Sequence, residues 1–179
     1  MYNISNEFAD NFISEIKLPR YQKQLMSWDI IEFYKSSKHV KKSKVISDWM
    51  DLHYLKYTNN WEKEFENNHY LTQNDNAIVI TNLENKIIWV SNNFTSMTGY
   101  SKRFAVNKYP NFLQGIDSKT KELKQLSSDL KKFHKATNTI INYRKNGEKY
   151  FCNITIEPLL NSKNQHTHYI AFEKEVTSF

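Results

Sequence analysis

Two runs of alternating side chains, TNTIINYRK (137–145) and EKYFCNITIEPLL (148–160), meet at Asn146-Gly147, and this junction constrains the fold more than any other segment. Asn-Gly is the strongest two-residue hairpin signal, because a type I′ turn needs a positive φ at both central positions. It predicts two adjacent antiparallel strands. A third, HTHYIAFEKEV (166–176), follows the polar stretch NSKNQ. Upstream, AIVIT (77–81), the turn NLEN and KIIWVSN (86–92) read as strand, turn and strand. Between the two groups lie short helical pieces: one over 94–98 stopped by Gly99, then one over 101–106. A longer helix follows from Asp117 or Ser118, with Leu123, Leu126, Leu130 and Phe133 in register. The expected class is α+β, a five-stranded antiparallel sheet with helices on one face.

The first seventy residues read differently. Ser5 or Asn6 caps a helix carrying Phe8, Phe12, Ile13 and Ile16, which ends before Pro19. A second helix starts near Ser27 with Trp28, Ile30, Ile31, Phe33 and Tyr34. A third follows Ser43 with Val45, Ile46, Trp49, Met50, Leu52 and Leu55, and a shorter segment holds Trp61 and Phe65. These stripes read as packing surface. The expected organisation is a helical N-terminal extension, 1–70, and an α+β domain, 71–179.

Composition removes whole classes of function. Three glycines cannot build a glycine-rich phosphate loop, and the single Cys152 excludes a disulfide framework or a thiolate zinc site. No apolar run approaches the roughly 18 residues of a membrane span. The start, MYNISNEFADNF, has no basic and apolar leader pattern, so the expected location is cytoplasmic, away from membranes. The net charge of +6 falls entirely in residues 71–179 (15 basic, 9 acidic), since residues 1–70 hold 10 of each. Lysines on an amphipathic helix usually form a solvated face, and only three arginines occur, so nucleic acid is a remote alternative. No hydrolase, kinase or Walker phrase is present. His166-x-His168, the one close histidine pair, lacks a third ligand at a telling spacing. The chain is expected to be neither an enzyme nor a metal protein, so no catalytic or metal-binding residue is assigned.

The segments AIVITNLENKIIWVSNNFTSMTGYS, NKYPNFLQG, NYRKNGEKYFCNITIEPL and HYIAFEKEV, in this order and at these spacings, resemble a PAS domain over residues ~71–177. FLQG and NYRKNG look closest to the flavin-binding LOV branch, in which a phrase like NCRFLQ carries the cysteine that bonds photochemically to the flavin. Here Tyr109, Pro110 and Asn111 stand for the asparagine, the photoactive cysteine and a phosphate-binding arginine. The second phosphate-binding arginine falls near Ser127. Proline has no thiol, so the resemblance implies no cysteinyl photoadduct there. Gln114, Asn142 and Asn153 match residues that hold the flavin ring or ribityl chain, and Glu173 stands for the glutamine that relays the light signal. Plain PAS sensors also carry a proline-containing phrase of this kind.

Side chains alternate across a strand. One parity of the last strands holds Asn142, Asn153, Thr155, Glu173 and Glu175. The other holds Ile141, Tyr143, Cys152, Ile154, Ile156, Ile170 and Phe172. Parity alone sends the first set to solvent and the second to the core. The PAS resemblance sends the polar set to a cavity beneath the helices and the apolar set, Cys152 included, to the outer face. An outer face that apolar requires a cover, either the N-terminal helices through Trp28, Trp49 or Trp61, or a second subunit.

These readings lead to a PAS-type signalling module with no output segment of its own. It acts through a protein partner or as a homodimer, using the N-terminal helices and the outer sheet face. Its core is expected to be filled, with no cofactor. The alternative is a small-molecule receptor holding FMN or another flavin non-covalently through Gln114, Asn142 and Asn153.

Overall fold

The computed structural model describes residues 42–63, 65, 76–118, 124–126, 128, 130 and 135–177. The helices expected before residue 42, Trp28 with them, lie outside the described residues, as do Leu123, Phe133 and the side chain of Ser127. Helix α1 (Lys42–Asn59) comes first, then strands β1 (Asn76–Asn82) and β2 (Ile87–Val90), then short helices α2 (Asn92–Thr98) and α3 (Lys102–Ala105). A 3-10 turn (Pro110–Leu113) and a helical stretch at 124–126, 128 and 130 lead to β3 (Ala136–Tyr143), β4 (Lys149–Leu160) and β5 (His166–Val176). The five strands form one antiparallel sheet in the order β2-β1-β5-β4-β3, so the first and last strands pair at its centre.

Local chemistry sets the connections. Asn82 Oδ1 accepts from the backbone N–H of Glu84 and Lys86, and Asn85 takes a φ of 63°, which closes the β1–β2 turn. Asn161 and Asn164 repeat the arrangement between β4 and β5, with Asn164 at 58°. Asparagine suits these positions because its short amide bonds the local backbone and tolerates the left-handed region. Gly99, at φ 75°, ends α2 with its N–H on the Thr95 carbonyl, and the Ser101 side chain caps α3 by accepting from Phe104 N–H.

The hairpin at Asn146-Gly147 differs from the expected two-residue turn. Gly147 has a positive φ of 86° whereas Asn146 does not, and Gly147 N–H bonds the Arg144 carbonyl while Arg144 N–H bonds that of Glu148. This is a three-residue loop, Lys145-Asn146-Gly147, of the type I plus bulge kind. Tyr143 therefore pairs with Lys149 and Asn142 with Tyr150. A two-residue turn would have put Asn142 opposite Phe151. One residue of slip turns every side chain of β4 to the other face. Contrary to the expected parity, Cys152 and Ile154 look into the layer under the helices, and Asn153 looks away from it.

The sheet is packed on both faces. On one, Ala77, Val79, Ile140, Cys152, Ile154 and Ala171 meet Phe94 and Met97 of α2, with Ala105, Leu113 and Leu126. On the other, Ile78, Ile80, Leu159, Ile170 and Phe172 meet Trp49, Met50 and Leu52 of α1, with Trp61 and Phe65. Trp49 is 2% exposed and Trp61 3%, so the N-terminal segment does cover the outer face, and burial of each such side chain contributes about 2 kcal/mol. The Trp61 segment is extended: Trp61 bridges to Asn161, and its indole N–H donates to Thr167 Oγ1 at 2.9 Å. His168 packs edge-on against the same indole at 5.0 Å, and burial lowers its pKa.

Candidate functional site

Beneath the helices lies a cavity of about 600 Å³. The expected filled core is absent here: α2 and α3 pack onto the sheet, but the 3-10 turn with Leu126 and Leu130 leaves space over a floor formed by β1, β3, β4 and β5. Small and branched residues make that floor: Val79, Ile140, Ile154 and Ala171. Leu113, Leu126 and Leu130 close the opposite side, and Leu83, Asn85 and Tyr109 stand at the mouth.

Among the polar side chains of a largely apolar lining, two are buried and carry an unpartnered atom. Asn142, 2% exposed, reaches the cavity from β3 beside the Tyr150 phenol, and its Oδ1 has no hydrogen-bond partner among the described residues. Glu173, 4% exposed, reaches it from the central strand β5, and its Oε2 is likewise without a partner. Burial alone raises the Glu173 carboxyl to about 7, so it is largely neutral in mildly acid solution. The effect spreads along the face. Burial first, and the Glu173 charge second, push the Tyr150 phenol and the Cys152 thiol upward. Glu175, two residues on, is treated differently. It accepts from Arg144 Nη2 at 2.6 Å, while the same guanidinium donates to the Met97 carbonyl and lies 4.6 Å from the Tyr150 ring.

Of the three residues expected to hold a ligand, two reach the site. Asn142 is in its wall and Gln114 at its rim, exposed. Asn153 is on the opposite face, where its Nδ2 donates to Thr139 Oγ1 at 3.2 Å, because the three-residue loop rotates β4 out of the expected phase. Pro110 lies in the cavity wall, and so does Asn111. No lysine or arginine is among the described lining residues. Glu173 has a relay position in the resemblance but no place among the residues expected to hold a ligand. Its signal was available: an acid within the otherwise apolar run YIAFE of a central strand.

A network ties the cavity-side helices to α1. Asp48 of α1, 5% exposed, accepts from Asn92 N–H at the start of α2 at 2.8 and 3.0 Å, from Asn92 Nδ2 at 2.8 Å, and from Lys102 Nζ of α3 at 3.0 Å. Burial raises its pKa against the opposing pull of Lys102. One turn further along α1, Asp51 accepts from the Trp89 indole of β2 at 3.0 Å.

A half-open pocket between one face of an antiparallel sheet and a set of short helices defines the class: an α+β domain built to enclose a small ligand or to be filled in its place. Residues 75–178 match the family model described as PAS domain, and the chain belongs to the PAS domain family, with the LOV-like features and the missing photoactive cysteine read from the sequence. A blue-light photoreceptor of Listeria innocua serovar 6a is 34% identical over 105 residues, which are 57% of this chain and 41% of that protein. Phototropin-2 of Oryza sativa subsp. japonica is 30% identical over 93 residues, 52% of this chain and 10% of that protein. The chain thus spans well under half the length of these relatives. The PAS domain of the fruit-fly ELK potassium channel superposes with a TM-score of 0.54 at 28% identity, covering 59% of this chain and 89% of that one. The light-state LOV domain of Aureochrome1 superposes with a TM-score of 0.56 at 23% identity, a likeness of fold. Among the described residues, no helix is long and apolar enough to cross a membrane.

Proposed function

We propose that this PAS domain is a small-molecule sensor whose cavity holds a flavin-type ring non-covalently. The observation that carries the reading is the cavity of about 600 Å³ with two unpartnered, buried polar groups, Asn142 Oδ1 and Glu173 Oε2, in an apolar wall. Buried polar atoms without partners are costly, and a ligand edge with alternating donors and acceptors satisfies them. A flavin ring offers such an edge on a flat, largely apolar body, and supplies blue-light absorption and redox chemistry when bound. The ring fits the residues present. A phosphate does not, since no cation is among the described lining residues, so the ligand is an unphosphorylated flavin or one whose phosphate stays in solvent at the mouth. Pro110 supplies no thiol, and Cys152 is fully buried with its thiol held protonated, so binding is without a covalent adduct.

Occupancy of the cavity reaches α2 and α3 through the core that the lining residues Val79 and Leu113 share with Phe94, Met97 and Ala105, and Asp48 couples both helices to α1. A protein partner or a second copy reads that change on the outward side of α1, where Tyr54 and Tyr57 are exposed. The test is the absorbance of protein purified from its own source, with mass spectrometry of whatever acid releases. A yellow protein that blue light does not bleach to an adduct is the expected result. A colourless protein that releases nothing and does not bind added riboflavin overturns the reading.

A further inference from the structure

Glu173 is a carboxyl group in the floor of a cavity in which no cation faces it among the described residues. From β4, its ladder partner is Ile154, with Cys152 and Tyr150 further along the same face. From β1, its partner is Ala77. On its own strand, Ala171 precedes it on that face and Glu175 follows, the latter held by Arg144. The roof opposite is Leu126 and Leu130. Tyr150 and Cys152 are held in their neutral forms by burial, so neither provides a positive charge. The one arginine near the strand is engaged by Glu175 and the Met97 carbonyl.

A neutral carboxyl presents one O–H donor and one C=O acceptor side by side, whereas an ionised one only accepts. The neutral form matches a cyclic amide edge, a ring C=O next to a ring N–H, by two parallel hydrogen bonds. Asn142 Oδ1 is a further acceptor, open to a donor on another part of the ligand. We propose that Glu173 recognises its ligand as the neutral acid, so the site selects uncharged heteroaromatic lactams and binds each together with one proton. This rests on the flavin reading of the cavity and adds to it the state of the recognising group. At a pH where Glu173 is ionised, the free protein must first take a proton from solvent, and affinity falls by that linkage. A cationic aromatic amine would show the reverse, binding the ionised form and gaining affinity as pH rises.

The experiment is a titration of the ligand-stripped 179-residue chain with riboflavin, read by quenching of flavin fluorescence, at about pH 5.5 and about pH 8.5. With the carboxyl at about 7, riboflavin binds wild type roughly 30-fold more weakly at the higher pH. Glu173→Gln keeps a donor and an acceptor at every pH, so it binds at both pH values with the affinity wild type shows in acid. Glu173→Leu binds weakly and without pH dependence. Binding by wild type that is flat or strengthens with pH overturns the proposal while leaving the flavin reading intact. No binding at either pH overturns the flavin reading, and the proposal falls with it.

Discussion

Replacing Glu173 by glutamine changes the stability of the ligand-free protein in a way that depends on pH. In the unfolded chain the carboxyl titrates near 4.5, and in the folded state it titrates at about 7, with desolvation as the sole cause. A raised native pKa means that the folded state holds its proton more tightly, so wild type has its full stability below about pH 4.5. It loses stability as pH rises through the window from 4.5 to 7, at about 1.4 kcal/mol per pH unit. The total loss is about 3 kcal/mol above pH 7. Glutamine has no such proton and a nearly identical shape, and every other titrating group is shared, so the difference between the two proteins isolates Glu173. Urea unfolding at half-unit steps of pH, analysed at constant m, measures it. The two stabilities converge in acid, and Glu173→Gln becomes the more stable by about 3 kcal/mol at neutral pH. A difference that stays flat across the window, or grows toward acid, refutes the claim that Glu173 is buried without a counter-charge.

Asp48→Ala leaves the Asn92 N–H and Lys102 without their acceptor, and lowers stability by about 2–4 kcal/mol in urea melts; Asp48→Asn restores most of it, because one oxygen still accepts and the carboxylate charge is already penalised by burial. Gly147→Ala costs about 1 kcal/mol from its φ of 86° alone, since nothing lies within 4 Å of the added methyl group. Gly115→Ala drives a Cβ into the Tyr143 ring and costs about 1–3 kcal/mol, with loss of the Tyr143–Asp117 hydrogen bond; calorimetry separates the two variants. Cys152, fully buried and with a raised pKa, reacts with a thiol reagent only as fast as the protein unfolds, and stoichiometric labelling of the native protein within minutes contradicts its place in the core.

The elements themselves were legible because their signals are local. Gly99 stops α2, Ser101 caps α3, and the alternation in 137–160 gives β3 and β4. The register between β3 and β4 was not. Asn-Gly serves both a two-residue turn and a three-residue loop with a bulge, since each needs a residue in the left-handed region. The choice is made by what the two faces bury. The observed register sets Ile140 beside Cys152 toward the helices, and on the other face pairs Thr139 with Asn153 and Thr137 with Thr155, each hydrogen-bonded. No local pattern announces that balance, and it moved Asn153 off the site and Cys152 onto the cavity-side face. The covering of the outer face was foreseen from its apolarity, with Trp49 and Trp61 in the expected role. The resemblance placed a cavity beneath the helices, but whether it is open or filled was beyond the sequence, because that depends on how far the covering segments stand from the floor and not on which residues line them.

The contrast between Glu173 and Glu175 bears on why such a site persists. Both stand on the cavity-side face of β5, two residues apart, and only Glu175 meets the arginine, at 2.6 Å. Arg144 is therefore positioned for Glu175, with the Met97 carbonyl and the Tyr150 ring fixing its other side, and Glu173 stays uncompensated in the floor. An uncompensated carboxyl lowers the stability of the empty domain at neutral pH, and a ligand that meets it as the neutral acid restores part of that loss only while bound. The same group thus links occupancy to the stability of the central strand. A ligand present at a hundred times its dissociation constant adds about 2.7 kcal/mol, close to what the buried acid removes. Because β5 pairs with β1 and β4 and presents Ile170 and Phe172 to the layer that includes Trp49, the stabilisation is felt by the strand on which α1 packs. Occupancy of the cavity can in this way be read on the far side of the sheet without any change in the contacts at the mouth.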